Sequence, residues 1–264
     1  MSRRLFRWAV AAPLALVLAA GLTGCGSGTA DTSAPASSGG AAKTLTVFAA
    51  ASLTGTFTEL GTAFEAAHPG TTVKFNFGSS ATLAQQITQD APADVFAAAS
   101  PATMKTVTDA SLAGQPATFV RNRLEIAVPA GNPAKVNGLK DLADPQTKVA
   151  LCAEQVPCGA AAVKALDAAG LTVTPVTLEQ DVKATLTKVE LGEVDAALVY
   201  KTDVIAAGDK VKGISFPEAE KAINDYPIAA LTKAPAGDLA KEFVDLVLSP
   251  QGRDVLTKAG FDAP

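Results

Sequence analysis

At 264 residues the chain is long enough for one large domain or two modest ones. With 48% hydrophobic and 18% charged residues it can bury a substantial core, which excludes global disorder. The net charge of −4 argues against nucleic acid as a partner, since phosphate backbones are gripped by clustered Lys and Arg, and one histidine with three cysteines is too few for a zinc or iron–sulfur cluster.

The chain starts with a basic stretch, Ser2 to Arg7, followed by an apolar run from Trp8 to Ala20 and by Leu22-Thr23-Gly24-Cys25. A basic region, a short apolar region and small residues describe a secretory signal over residues 1–24. The run is too short and wrongly flanked for a good membrane span; the alternative is a short anchor helix. Leu22 to Cys25 resembles the bacterial lipobox. That resemblance implies cleavage before Cys25 and a diacylglycerol on its sulfur, which holds a protein on a membrane without spanning it. Residues 25–42, rich in Gly, Ser and Ala, then read as a flexible tether. Losing Arg3, Arg4 and Arg7 takes the net charge from −4 to −7.

Beyond Lys43, short apolar runs alternate with helical patterns. Strands are expected at 45–48, 72–77, 95–97, 124–128, 149–151, 172–176 and 196–200, and helices at 53–67, 82–89, about 159–169 and 181–191. This alternation predicts the α/β class, with mostly parallel sheets flanked by helices. Arg123 to Pro129 reads as a strand leaving a first lobe, and Asp225 to Leu231 as one returning to it. The expected organisation is a first lobe of 43–123 plus 226–264 and a second lobe of 124–225. Leu239 to Leu248 and Gly252 to Ala259 read as helices packed back on the first lobe.

Four strand-to-helix junctions stand out: Ala49 to Thr54, Phe77 to Thr82, Glu154 to Gly159 and Gln180 to Lys183. Strand C-termini followed by helix N-termini are where open α/β sheets bind ligands, and unpaired first-turn amides attract anions. Any one Ser or Thr there is most simply a helix cap. Their joint occurrence, in loops with few bulky or charged residues, points to a ligand. Neither GxGxxG nor GxxxxGK[ST] occurs, which disfavours a dinucleotide or NTP.

Val47 to Thr54, Phe77 to Ala84, Ala91 to Phe96, Val156 to Gly159, Asp181 to Lys183 and Leu198 to Asp203 resemble, in order, the motifs of periplasmic molybdate-binding proteins of ABC transporters. The likeness runs from about Leu45 to Phe261. It implies a two-lobed, type II periplasmic-binding-protein-like fold with the ligand cleft between the lobes. It further implies that the hydroxyls of Ser52, Ser80 and Tyr200 and the backbone amides at Cys158 and Val182 hold molybdate or tungstate, with no direct protein–metal bond. Many relatives carry alanine where this chain has Cys158, and a main-chain donor survives that change. No other cofactor is implied. The implied partners are the permease and ATPase of an importer, the implied location is extracytoplasmic, membrane-anchored through the lipid, and the implied state is a monomer. Such a protein is not an enzyme.

Physical chemistry supports that donor set. A buried dianion is costly unless hydrogen bonds replace its water, and neutral amides and hydroxyls can do so. Donors that accept no proton favour a fully deprotonated anion over hydrogen phosphate. Cys152 and Cys158 flank the third junction, and in an exported chain a disulfide is expected, with reduced thiols the alternative. His68 is expected at a helix end without a role, and Tyr226 is expected to pack at the crossover between lobes. Competing functions are binding of another oxyanion such as sulfate, a serine hydrolase using Ser52 or Ser80, and a ligand-free surface lipoprotein. The hydrolase needs a base, and His68 is the only histidine.

Overall fold

A computed structural model describes residues 43–264; the expected signal, Cys25 and the tether lie outside the described residues. The first lobe opens with β1 (Lys43–Ala50), α1 (Thr54–Ala67), β2 (Thr71–Gly78), α2 (Ser80–Thr88), β3 (Val95–Ala97), α3 (Pro101–Asp109) and β4 (Ala117–Asn122). After the single residue Arg123 the chain enters the second lobe. There it forms β5 (Leu124–Pro129), β6 (Val149–Cys152), α4 (Pro157–Ala169), β7 (Thr177–Glu179), α5 (Val182–Glu190), β8 (Ala196–Tyr200), α6 (Lys201–Ala207) and β9 (Val211–Ile214). It returns through β10 (Asn224–Ala230) and ends with α7 (Gly237–Leu248) and α8 (Pro250–Lys258).

Each lobe is built on one five-stranded sheet, in the orders β2-β1-β3-β10-β4 and β7-β6-β8-β5-β9. In each sheet four strands run one way and one is reversed: β10 in the first, β5 in the second. The reversed strands are the first that the chain makes after crossing between the sheets. The two-lobed α/β architecture is therefore as expected, with one antiparallel strand in each sheet.

Burial explains the packing. Leu45 and Val47 of β1 are buried against α1, whose Phe57, Leu60 and Phe64 form its inward face. Phe57 and Phe64 meet Phe243 of α7 edge-on at 5.9 and 5.5 Å, so the C-terminal helices close the first lobe. The buried Asp94 carboxylate accepts from Thr46 N and Ala236 N, each at 2.7 Å, which ties β1 to the segment before α7. That accounts for the Ala91 to Phe96 motif without a ligand. Tyr200 and Tyr226 meet edge-on at 6.0 Å and join the cores of the two lobes. Among the described residues, no helix is long and apolar enough to cross a membrane.

One expected strand is displaced. Residues 172–176 do not pair as a strand; β7 starts at Thr177. Pro175 has no N–H to donate, so ladder pairing with β6 begins beyond it.

Candidate functional site

Strand register builds the cleft. Ala50 pairs with Gly78 and Ala49 with Ala97, so β1, β2 and β3 end at one level. Cys152 pairs with Glu179, so β6 and β7 end together in the other lobe. The residues just beyond these ends face one another across a single small cleft. It is lined by Ser52, Ser79 and Ser80 from the first lobe and by Cys158, Val182 and Tyr200 from the second, among others. All five residues proposed to hold the ligand therefore line one cavity. The part open to the centre of a water-sized sphere is about 20 Å³, which suits a compact ion and not a nucleotide or sugar. Among the described residues, no Lys, Arg or His lines it.

Helix starts at the cleft are left open. The 3-10 turn Ala51–Leu53 leading into α1, and helices α2 and α4, have no side-chain cap. Away from the cleft, α3 and α8 are capped by Ser100 and Ser249, and α7 has no side-chain cap. Asp181 lines the cleft and caps α5, but its Oδ1 accepts from Lys183 N and Ala184 N at 2.8 and 3.0 Å, not from Val182 N. First-turn amides have no partner inside their own helix, so Ser80, Cys158 and Val182 each bring an N–H and the positive end of a helix dipole to the cleft.

The hydroxyls are held from behind. Ser80 Oγ accepts from Ala99 N at 3.0 Å, and Tyr200 Oη accepts from Asn224 Nδ2 at 2.7 Å. Ser52 Oγ lies 3.0 Å from Tyr226 Oη. Burial pushes the Tyr200 phenol well above its ordinary value, and burial also raises Tyr226, so both stay protonated. Ser79 Oγ is buried without a hydrogen-bond partner, which makes it a further donor that the sequence reading passed over. That reading also missed Asn122 and Asn224, and it gave Tyr226 only a packing role. Tyr226 does pack at the crossover, and its hydroxyl in addition reaches Ser52.

His68 is tied to Phe64 O at 2.8 Å and Glu242 Oε2 at 2.6 Å and does not line the cleft. Neither Ser52 nor Ser80 has a histidine base, which removes the geometry a serine hydrolase requires.

Cys152 and Cys158 are joined by a disulfide that ties the end of β6 to the first turn of α4. Closing so short a loop is worth about 2 kcal/mol on the chain-entropy model. Replacing both cysteines by alanine is expected to lower Tm by about 4–8 °C and to weaken anion binding, read by calorimetry. An unchanged Tm and affinity would contradict that role.

Asp203 of α6 is fully buried near this cleft, and its Oδ2 accepts from Tyr200 N at 3.2 Å. Its Oδ1 lacks an aligned hydrogen bond, although Lys183 Nζ lies 3.3 Å away. Burial pushes this carboxyl up to about 6, with Lys183 opposing. The unfolded chain ionises near pH 4, so the folded state holds the extra proton between about pH 4 and 6. The stabilisation is complete below pH 4 and is lost as pH rises through about 6. In an Asp203→Asn variant that loss is expected to disappear, so its Tm should gain on the parent's from pH 4 to 7. A constant difference across that range would contradict the assignment.

Residues 45–262 match the model of the family described as bacterial extracellular solute-binding protein. Over 249 residues, 94% of this chain and 95% of the relative, the chain is 43% identical to the molybdate-binding protein ModA of Mycobacterium tuberculosis. The Azotobacter vinelandii periplasmic molybdate-binding protein superposes with a TM-score of 0.73 at 22% identity, covering 83% of this chain and 99% of that one. The sulfate-binding protein SubI of M. tuberculosis also gives 0.73, at 19% identity, covering 84% and 87%. At such identities the solved structures establish the fold and leave the ligand to the cleft itself. The resemblance read from the six motifs is thus borne out: the chain belongs to the bacterial extracellular solute-binding proteins.

Proposed function

We propose that this protein captures molybdate, and tungstate with it, outside the cytoplasm and presents it to an ABC importer. One observation carries the reading. Helix starts and hydroxyls from two lobes converge on a space of ionic size in which, among the described residues, the only charged side chain is Asp181, whose Oδ1 is engaged by amides. Neutral donors can replace the water of a tetrahedral dianion there, and helix dipoles supply the favourable potential. Ser52, Ser80 and Tyr200 donate through hydroxyls, and Cys158 and Val182 through backbone amides. The lobes close on the anion by hinge bending, and the importer's permease and ATPase subunits receive it. No bond is made or broken and no cofactor takes part. Residues 1–24 serve as the export signal, and Cys25 carries the lipid that holds the monomer to the membrane through residues 25–42.

Calorimetric titration of the purified protein with molybdate, tungstate, sulfate and phosphate tests this. The expected result is a Kd near or below about 1 μM for molybdate and tungstate, with sulfate and phosphate weaker by about 100-fold or more. Sulfate binding as tight as molybdate would favour the sulfate reading. No heat and no anion-dependent rise in Tm would leave a lipoprotein without a ligand.

A further inference from the structure

We propose that Asn122 and Asn224 are positioning residues that turn the hydroxyl protons of the cleft towards the anion and so select an oxyanion that carries no O–H. The proposal rests on the reading of this cleft as the molybdate site. The two asparagines are directly opposite each other on β4 and β10, where the chain crosses between the lobes. Both are buried, at 1% and 6% exposure.

The orientation of each amide is fixed by a partner that can play only one role. Arg123 N donates to Asn122 Oδ1 at 3.0 Å. Asn122 Nδ2 therefore faces Thr202 Oγ1 at 2.8 Å and Tyr226 Oη at 3.5 Å. Asn224 Nδ2 donates to the Pro157 carbonyl at 3.3 Å, and a carbonyl only accepts. The same nitrogen donates to Tyr200 Oη at 2.7 Å.

A hydroxyl that accepts from an N–H keeps its own proton for another partner. Asn224, as a donor, leaves the Tyr200 proton free, and the cleft that Tyr200 lines is open to it. With Asn122 Nδ2 facing Tyr226 Oη at 3.5 Å, the phenol is free to donate to Ser52 Oγ at 3.0 Å, an arrangement that leaves the Ser52 proton for the ligand. Ser80 reaches the same state independently, through Ala99 N. Of the Asp181 carboxylate at this cleft, Oδ1 is already held by two amides. A hydrogen phosphate brings a donor to hydroxyls that are themselves turned to donate, whereas molybdate does not.

Molybdate and phosphate affinities of the whole protein, measured by calorimetry for two Asn224 variants, test this. Asn224→Leu is expected to weaken molybdate binding by about tenfold in the parent background, and by less than about threefold when Tyr200→Phe has already removed the hydroxyl. Equal losses in both backgrounds would mean a merely structural role and overturn the inference. Asn224→Asp, of the same size, draws the Tyr200 proton back to its carboxylate. The ratio of molybdate to phosphate affinity should then fall by about tenfold, because the phenol oxygen now accepts. Measured in mildly alkaline buffer, where hydrogen phosphate is a dianion like molybdate, that ratio is insensitive to general repulsion or loosened packing, which then act equally on both anions. An unchanged ratio overturns the inference even if Asn224→Leu fails to fold. A parent that does not bind molybdate overturns the reading of the cleft and the inference together; a parent that binds, matched by its variants, overturns the inference alone.

Discussion

Replacing Ser52 and Ser80 together by alanine is expected to weaken molybdate binding by about a thousand-fold. Each hydroxyl hydrogen bond to a charged group contributes roughly 1.5–3 kcal/mol, and the two come from different helix starts of one lobe, so their losses should nearly add. The pair is informative because their surroundings differ. Ser80 is buried and accepts from Ala99 N, so its removal also strands a main-chain donor. Ser52 is only partly buried and touches Tyr226 Oη, a hydroxyl whose proton can turn to water once the serine oxygen is gone. The double variant should therefore lose a little stability, nearly all of it from the Ser80 change, and nearly all of its affinity. Calorimetry beside thermal melts separates the two. A double variant that binds as tightly as the parent would remove both hydroxyls from the site.

Gly159→Ala is expected to cost at least about 3 kcal/mol of stability, or roughly 6–12 °C in Tm. A Cβ at Gly159 would lie 1.9 Å from the Ala153 carbonyl oxygen and 2.8 Å from that of Cys152. Both are backbone atoms at the end of β6, anchored in turn by Ala153 N donating to Glu179 O at 2.8 Å. They cannot yield as a flexible side chain would, so the start of α4 must move. That displacement carries the Cys158 amide away from the cleft and works against the disulfide. The glycine that ends the Val156 to Gly159 motif is thus explained by close packing of a helix start on a strand end. Affinity should fall together with Tm. A variant that melts within about 2 °C of the parent with unchanged affinity would contradict this packing argument.

Local signals in the chain are legible where they are strong. Val95–Ala97 and Ala196–Tyr200 are short apolar runs between clear breaks, and their strands have those ends. Elements with weak or composite signals were passed over. Helix α3 is largely polar on its surface, although Ser100 before Pro101 is a readable start. Helix α6 follows Tyr200 with no loop to announce it, and β9 is a four-residue strand containing a glycine. Ser52, Ser80, Cys158 and Val182 stand at strand-to-helix junctions that are legible in the chain, whereas the choice of these atoms as ligands, and of Tyr200 at all, comes from the resemblance of the six motifs. The layer behind them is not legible. Asn122 and Asn224 are about a hundred positions apart and become neighbours only through strand pairing across the crossover. Tyr226 looked like packing because its ring does pack, and nothing local shows that its hydroxyl meets Ser52, 174 positions away. Periodicity reveals which face a residue occupies, whereas the direction of a hydrogen bond depends on partners brought in by tertiary structure.

The central claim is that uncharged N–H and O–H groups from both lobes suffice to hold a doubly negative oxyanion. Its most direct test is a crystal structure grown with molybdate, in which anomalous scattering locates the molybdenum. The expected peak lies between the lobes, with oxygens about 2.7–3.2 Å from the hydroxyls of Ser52, Ser80 and Tyr200 and from the amides of Cys158 and Val182. A peak outside this cleft, or a lysine, arginine or histidine nitrogen in contact with the anion, would contradict it.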